Sequence, residues 1–560
     1  MSPISNAIEK NPRNFPVKRR TRRGRKLEMR FLLVSFILTL GAAAAKERWV
    51  YLPANFQVDA EADRVIALLT RAGAAGYDHA LISDSKFARL GTVPGRYFEN
   101  VDRVKQAAAG LKIALVPAVF PVGYSNNLLF HDPNLAEGLP VKQARFVVRD
   151  GKARIQPDPP VSLRGGDMSE RRAWAFVDDS LIPDDGAMHS PPTGTNARLH
   201  QKLAVSPFRQ YHVSVRIRTR GLVGGVPEIK ALTPSGKSLQ WTNPGVKPDQ
   251  DWTTHHVTFN SLENREISLY FGVWGGHRGD LWWDDAAIEE CGPVNLLRRP
   301  GAPFTILRED GTALKEGRDY DPPVDPLMGT KPWPGEFTAW HEPPDIVTHG
   351  LTDGTLLRVS YFHPHIIYDG QVCACVEETA FRELLTDQAR RVARLWDARS
   401  HMMSHDEWRV LGWDESCRKS GRTPAQIAAE NLRFCTQLLR ETAPGGRILV
   451  WNDMFDPHHN AVDDYYLVHG SLDGSWQGLH KSVTVMNWNF GKRGQSLGFF
   501  AQRGHHQIIA GFYDEPLENV SRWLESAREV PHIDGFMYTT WRNDYSKLEE
   551  TARLLGNQGF

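Results

Sequence analysis

The 560-residue chain has only five cysteines, Cys291, Cys373, Cys375, Cys417 and Cys435, which is too few for a disulfide scaffold and an odd number for complete pairing. Cys373 and Cys375 form a C-x-C pair with no second pair nearby in sequence, so no zinc site is expected and all five are read as structural, with Cys417–Cys435 as a conceivable bridge. No glycine-rich phosphate loop or dinucleotide fingerprint stands between a strand and a helix, so no cofactor is implied. Net charge is nearly absent too, at +1, but that balance hides an asymmetry. Residues 1–30 hold ten Lys and Arg against Glu9 and Glu28; subtracting them from the totals of 67 and 66 leaves 57 basic and 64 acidic residues. The remaining chain is acidic, which argues against nucleic acid as a partner.

A single long apolar run is present. The basic segment VKRRTRRGRK leads into MRFLLVSFILTLGAAAA, where about fifteen apolar or small residues end in an alanine-rich stretch. This is the pattern of a secretory signal peptide, residues 1–45, cut near Ala45, with Met29 as an alternative start. A membrane span needs ~20 apolar residues, so an uncleaved anchor is the weaker alternative and no stable span is expected after cleavage. The expected location is secreted or periplasmic.

Apolar residues at 41% and a length beyond one core's usual reach predict two or more domains. From residue 46, short apolar runs alternate with segments of helical period, as in a parallel β/α fold. WVYLP (49–53), HALIS (79–83) and KIALVPAVF (112–120) read as three strands, and residues 46–135 as the first part of a barrel. The alternation then gives way, over 160–292, to short two-period segments such as YHVSVRIRTRG and DLWWDDAAIEE separated by turns, the style of an antiparallel β-sandwich. Residues 293–370 read as a β-rich connector. The β/α alternation returns over 375–560 with HMMSHDEW, RILVWNDMF, VTVMNWN, QIIAGFYD and GFMYTTW, bringing the count to eight. The predicted fold class is α/β: a (β/α)8 TIM-type barrel interrupted after its third strand by a jelly-roll-like sandwich.

In such a barrel the chemistry sits where strands end at the C-terminal face. The late strands end in Trp451-Asn452-Asp453, Asn487-Trp488-Asn489, Tyr513-Asp514-Glu515 and Thr540-Trp541, and the fourth in His405-Asp406-Glu407. Indole faces suit the C–H faces of sugar rings, while carboxylates and amides suit their hydroxyls. The candidate substrate contacts are therefore His405, Trp451, Asp453, Asn487, Trp488, Tyr513, Asp514 and Trp541. Asp453 and Asp514 also fit as caps of the segments that follow them, and His405 as a hydrogen-bonding partner. His458-His459 are adjacent on one loop and are not expected to bind metal.

Asp406 and Glu407 are the catalytic candidates. Adjacent strand residues point to opposite sides, so the two should not flank a bond as an acid and nucleophile pair. A division of labour fits better: Glu407 protonates the leaving oxygen, and Asp406 orients an internal nucleophile such as an acetamido group. A surface ion pair with Arg409 is the alternative that involves no chemistry.

HMMSHDEW resembles the H-x-G-G-D-E signature of family 20 glycoside hydrolases, the β-N-acetylhexosaminidases, over 46–130 and 375–555. That resemblance implies retaining, substrate-assisted hydrolysis of an oligosaccharide or glycan, Glu407 as acid/base, Asp406 orienting the acetamido group, and Trp451, Trp488, Trp541, Tyr513 and Asp514 in the sugar pocket. Ser404-His405 stands where the family has Gly-Gly, and RWVYLPANF ends without the family's sugar-binding arginine. The sandwich's last strand, LWWDDAAIEE, resembles that of carbohydrate-binding jelly rolls. Two further readings remain open: a two-carboxylate hydrolase with Asp514 or Glu515 as nucleophile, and a glycan-binding protein without activity.

Overall fold

The computed structural model describes residues 46–560 except Asp369. The predicted leader lies outside the described residues. Among those residues no helix is long and apolar enough to cross a membrane.

Eight parallel strands close into one barrel in chain order: β1 Glu47–Pro53, β2 His79–Ser83, β3 Ala114–Val119, β4 Ser400–Met403, β5 Arg447–Trp451, β6 Val483–Asn487, β7 Gln507–Phe512 and β8 Ile533–Thr539. These are the eight apolar runs identified above. β8 pairs back to β1, with Gly535 opposite Glu47, and this seam closes the ring. The seam between β3 and β4 rests on two pairings, Met402 with Ala118 and Met403 with Val119, although about 280 residues separate the strands in sequence.

Strand alternation sorts the side chains. One buried residue per strand fills the interior: Trp49, Leu81, Val116, Met402, Leu449, Met486, Ile508 and Met537. Two residues further along three of these strands, Tyr51, Trp451 and Ala510 form the next layer toward the C-terminal mouth. The residues between them, such as Val50, Ile82, Met403 and Val450, face outward into the larger core shared with the helices. At the N-terminal end Arg447 bridges the strands, 2.8 Å from Glu47 and 2.7 Å from Asp534.

The outer helices are amphipathic. Thr379–Trp396, which precedes β4, buries Phe381, Leu385, Ala389, Val392 and Trp396 at three- and four-residue spacing. Pro424–Thr442 follows β4 and starts at a capping box between Thr423 and Gln426, with Pro424 at its first position.

The interruption carries three antiparallel sheets. Within 160–292 lie a five-stranded sheet built on Gln210–Val223, Gln250–Asn260 and Arg278–Glu290, and a four-stranded one built on Ala197–Ala204, Glu228–Leu232 and Glu266–Val273. Phe271 of the second packs edge-on against Trp283 of the first, and their buried residues join the core that backs the barrel. The third sheet corrects the reading of 293–370 as a connector. Leu139–Arg149 pairs with Leu356–His363, so segments from before and after the first two sheets form one five-stranded sheet. It has its own core of Val141, Phe146, Ile306, Leu357 and Tyr361. Pairing across more than 200 residues leaves no local trace in sequence, which is why these segments read as a connector.

The β8–β1 seam has no room for a side chain at Gly535, where an added Cβ would lie 2.4 Å from the Glu47 carbonyl oxygen. Gly535→Ala is expected to lower unfolding free energy by about 1–3 kcal/mol, measured by urea denaturation. A change within experimental error would show that this seam yields.

Candidate active site

A cavity of about 400 Å³ opens at the C-terminal mouth of the barrel. Every strand contributes to its wall: Tyr51 from β1, Ser83 from β2, Pro121 and Tyr124 after β3, Ser404, Asp406 and Glu407 after β4, Trp451 from β5, Trp488 after β6, Tyr513 after β7 and Trp541 after β8. The aromatics form a connected surface. Trp488 stacks on Tyr513 with ring centroids 5.6 Å apart and 2° between planes, and Trp541 meets Tyr51, Trp451 and Tyr513 at 5.2, 6.2 and 5.6 Å. Trp541 is 44% exposed and forms the outer lip.

Asp406 and Glu407 both line this cavity, contrary to the expectation that neighbouring residues would diverge. β4 ends at Met403, so strand alternation no longer governs residues 406 and 407, and Glu407 adopts a left-handed backbone with φ +50°. This conformation is unfavourable for a residue with a Cβ and is held from several sides. The Glu407 backbone N–H donates to the Asp453 carboxylate at 2.8 Å, and Ser404 N–H donates to the Val119 carbonyl at 2.7 Å. Gly123 presses on the same peptide, leaving so little space that a Cβ there would lie 1.9 Å from the Asp406 carbonyl oxygen.

Glu407 Oε2 lies 2.6 Å from Arg409 Nη2 and also accepts a hydrogen bond from the Tyr124 hydroxyl. This is the Arg409 pair anticipated above, but it is not a surface pair: the side chains are 24% and 6% exposed. Arg409 is wrapped by the rings of Tyr124, Tyr368 and Tyr466 at 5.7, 5.3 and 5.0 Å. The half-buried Asp406 carboxyl has a pKa pushed up to about 7, first by desolvation and then by the charge of Glu407. Behind it, burial and then the Asp406 charge push the Asp453 carboxyl well above the usual carboxylate range.

Of the predicted contacts, Trp451, Trp488, Tyr513 and Trp541 line the cavity, and four others do not. His405 is fully buried behind the wall, with Nε2 2.9 Å from Asn431 Oδ1 and its ring edge-on to Phe120; burial lowers its pKa to about 4. Asp453 is buried and braces Glu407 and Asn460 instead of capping the turn it begins. Asn487 donates to Gln507 Oε1 at 2.7 Å within the barrel core. Asp514 accepts from the backbone N–H of Trp541 and Arg542 at 2.7 and 3.1 Å and from the Thr540 hydroxyl at 2.5 Å, fixing the lip that carries Trp541. Glu515 is exposed and outside the cavity lining. The seventh strand therefore offers no free carboxylate to the pocket, and the two-carboxylate reading loses its nucleophile.

Tyr51, Ser83, Pro121, Tyr124, Ser404 and Arg409 escaped the sequence reading as site residues. Tyr51 was accessible in principle, because it follows Trp49 by two residues on the inward face of β1. Tyr124 lies in a loop whose path no spacing rule predicts. The six tryptophans of 160–292 divide: Trp174, Trp282 and Trp283 are buried, Trp252 lies beneath Arg216 and Arg218, and Trp241 and Trp274 line a separate cavity of about 620 Å³. The carboxylate in that second cavity, Glu228, is bound to Lys230 at 2.9 Å.

No family model matches the sequence, and no curated protein matches it. Among solved structures, the chain is similar to a glycoside hydrolase family 20 β-N-acetylglucosaminidase at 10% identity, over 91% of this chain and 68% of that one, with a TM-score of 0.34. A rhamnosidase from Novosphingobium sp. PP1Y is similar at 9% identity over 92% of this chain and 59% of that one, with a TM-score of 0.32. A CBM4 structure matches 20% of this chain and 77% of its own length at 17% identity, with a TM-score of 0.17. Similarities this low carry no inference about the activity of this chain.

The raised Asp406 pKa has a consequence for stability. Between its ordinary value of 3.8 and about 7, the folded protein keeps a proton that the unfolded chain has lost. Stability therefore falls as pH rises through that window and levels off above it. Asp406→Asn removes the penalty, so the variant should exceed wild type by about 1–3 kcal/mol at pH 8, with the difference closing toward pH 4. Thermal unfolding across this range checks it, and a pH-independent difference would contradict the assignment.

Proposed function

We propose that the chain is a glycoside hydrolase acting on an oligosaccharide or glycan end, with the barrel as a TIM-type catalytic domain and the sheets of 160–292 as a carbohydrate-binding-like insertion. One observation carries this reading: two adjacent carboxyls open into a single aromatic-walled pocket at the barrel mouth. The rings supply a stacking surface for a sugar, and the carboxyls supply the proton transfer that glycosidic cleavage needs. Residues 1–45 are proposed as an export leader, so that the glycan is met outside the cytoplasm.

Glu407 is proposed as the acid/base that protonates the leaving oxygen, and Asp406 as the group that orients a 2-acetamido substituent for attack on the anomeric carbon, with retention. Below about pH 7 Asp406 keeps its proton, while Arg409 and Tyr124 hold Glu407 Oε2. A sugar oxygen entering beside Glu407 displaces part of that hold and draws the proton across. The resting arrangement also favours a second reading in which the roles are exchanged and protonated Asp406 is the acid.

Substitution separates the two. If Glu407 is the acid, Glu407→Gln lowers turnover of an unactivated glycoside by about 10²–10⁴-fold, loses much less on an aryl glycoside with a good leaving group, and still binds sugar by calorimetry. If the roles are exchanged, Asp406→Asn shows that pattern. A 2-acetamido group required for turnover supports substrate assistance. Sugar binding without release of reducing ends from any aryl glycoside, with or without that group, would sink the proposal in favour of a non-catalytic glycan-binding protein.

The peptide carrying both carboxyls depends on the close approach of Gly123. Gly123→Ala should lower kcat by about 10–100-fold through displacement of that peptide. Steady-state kinetics beside a melting curve checks it; a folded variant with wild-type kcat would show that the contact is not needed.

A further inference from the structure

Four buried side chains outside the pocket converge where the interruption leaves and rejoins the barrel. Glu137 enters the third sheet, Cys375 precedes the helix leading to β4, and Asp414 and Cys417 lie just beyond the loop that carries Asp406 and Glu407. One ligand atom from each lies within 4.8 Å of all the others. Cys375 Sγ is 3.7 Å from Cys417 Sγ and 3.4 Å from Asp414 Oδ1, and Cys417 Sγ is 3.3 Å from Glu137 Oε2.

These separations are those of a tetrahedron's edges. Zinc bonds of about 2.3 Å to sulfur and about 2.0 Å to oxygen put two thiolates about 3.8 Å apart and a thiolate and a carboxylate oxygen about 3.5 Å apart. The surroundings hold the carboxylates in place. Glu137 Oε1 accepts from the backbone N–H of Trp413 at 2.8 Å and of Asp414 at 3.3 Å, leaving Oε2 turned to the thiols. Asp414 Oδ2 is held by Arg299 Nη2 at 2.6 Å, leaving Oδ1 turned to them, where it also takes the Cys417 N–H at 2.9 Å. Outer donors that fix one oxygen of each carboxylate and aim the other inward are what a preorganised metal site requires.

We propose that Glu137, Cys375, Asp414 and Cys417 bind one structural zinc ion, closed to solvent. Two thiolates with two carboxylate oxygens in tetrahedral array suit Zn²⁺ and disfavour Mg²⁺ or Ca²⁺, which take more oxygen ligands. Binding displaces the two thiol protons to solvent, and Arg299 offsets part of the excess negative charge. The ion joins both ends of the interruption to the segment after β4, and so anchors the loop of Asp406 and Glu407 from outside the pocket. Because it is coordinatively closed, it takes no part in the chemistry there.

Elemental analysis of the full chain, purified from zinc-supplemented medium and dialysed, should find about one zinc per chain. The Cys375→Ser/Cys417→Ser double variant should bind at least tenfold less. If that variant does not fold, cobalt loading of metal-stripped wild type decides: thiolate-to-cobalt charge-transfer absorption with intense tetrahedral ligand-field bands is expected. No bound zinc and no such spectrum would overturn the proposal. So would peptide mapping that finds Cys375 and Cys417 joined as a disulfide, a bond of about 2.05 Å that their present separation would have to shorten to reach.

Discussion

The pocket exists because a ring closes across an interruption. β3 and β4 meet through two residue pairs, and the chain between them forms three sheets before it returns. If that seam opened, the rim would lose the register that sets Asp406 and Glu407 against residues from the other seven strands. The interior layer of one apolar side chain per strand packs the ring from within, and the third sheet, pairing Leu139–Arg149 with Leu356–His363, brings the departing and returning segments together.

Given the ring, the mouth is organised by the electrostatics of crowded carboxyls. Beyond burial, Asp406 raises the pKa of Asp453 and Glu407 raises both, while the guanidinium of Arg409 pairs with Glu407. Burial and this repulsion push the Asp406 carboxyl up to about 7 and the Asp453 carboxyl well above the usual carboxylate range. Asp453 earns its place through geometry: its carboxylate receives the Glu407 N–H and stabilises a left-handed turn that glutamate would not otherwise favour. That turn is what puts both carboxyls on the same side.

Much of this architecture was legible beforehand. The eight barrel strands could be read because each is a compact apolar run followed by polar and aromatic residues, and period-two burial follows directly from strand geometry. Trp451, Trp488, Tyr513 and Trp541 could be placed because a strand end has only one mouth to face. His405, Asp453, Asn487 and Asp514 share the same sequence context, yet they turn to Asn431, Glu407, Gln507 and the Trp541 turn. Side-chain direction beyond the last strand pair depends on loop dihedrals and on partners far away in the chain.

Cysteine spacing shows the same division. Cys375 and Cys417 are 42 residues apart and belong to no spacing pattern, and the carboxylates beside them come from positions 137 and 414. The sequence alone determined the number of barrel strands, which faces of them are apolar, and that aromatic and acidic residues would gather at one rim, because these follow from local periodicity and chain order. Only the tertiary structure decided which carboxyls open into the pocket, which brace it from behind, and which distant groups meet near the junction, because those contacts join segments whose separation in sequence carries no information about their distance in space.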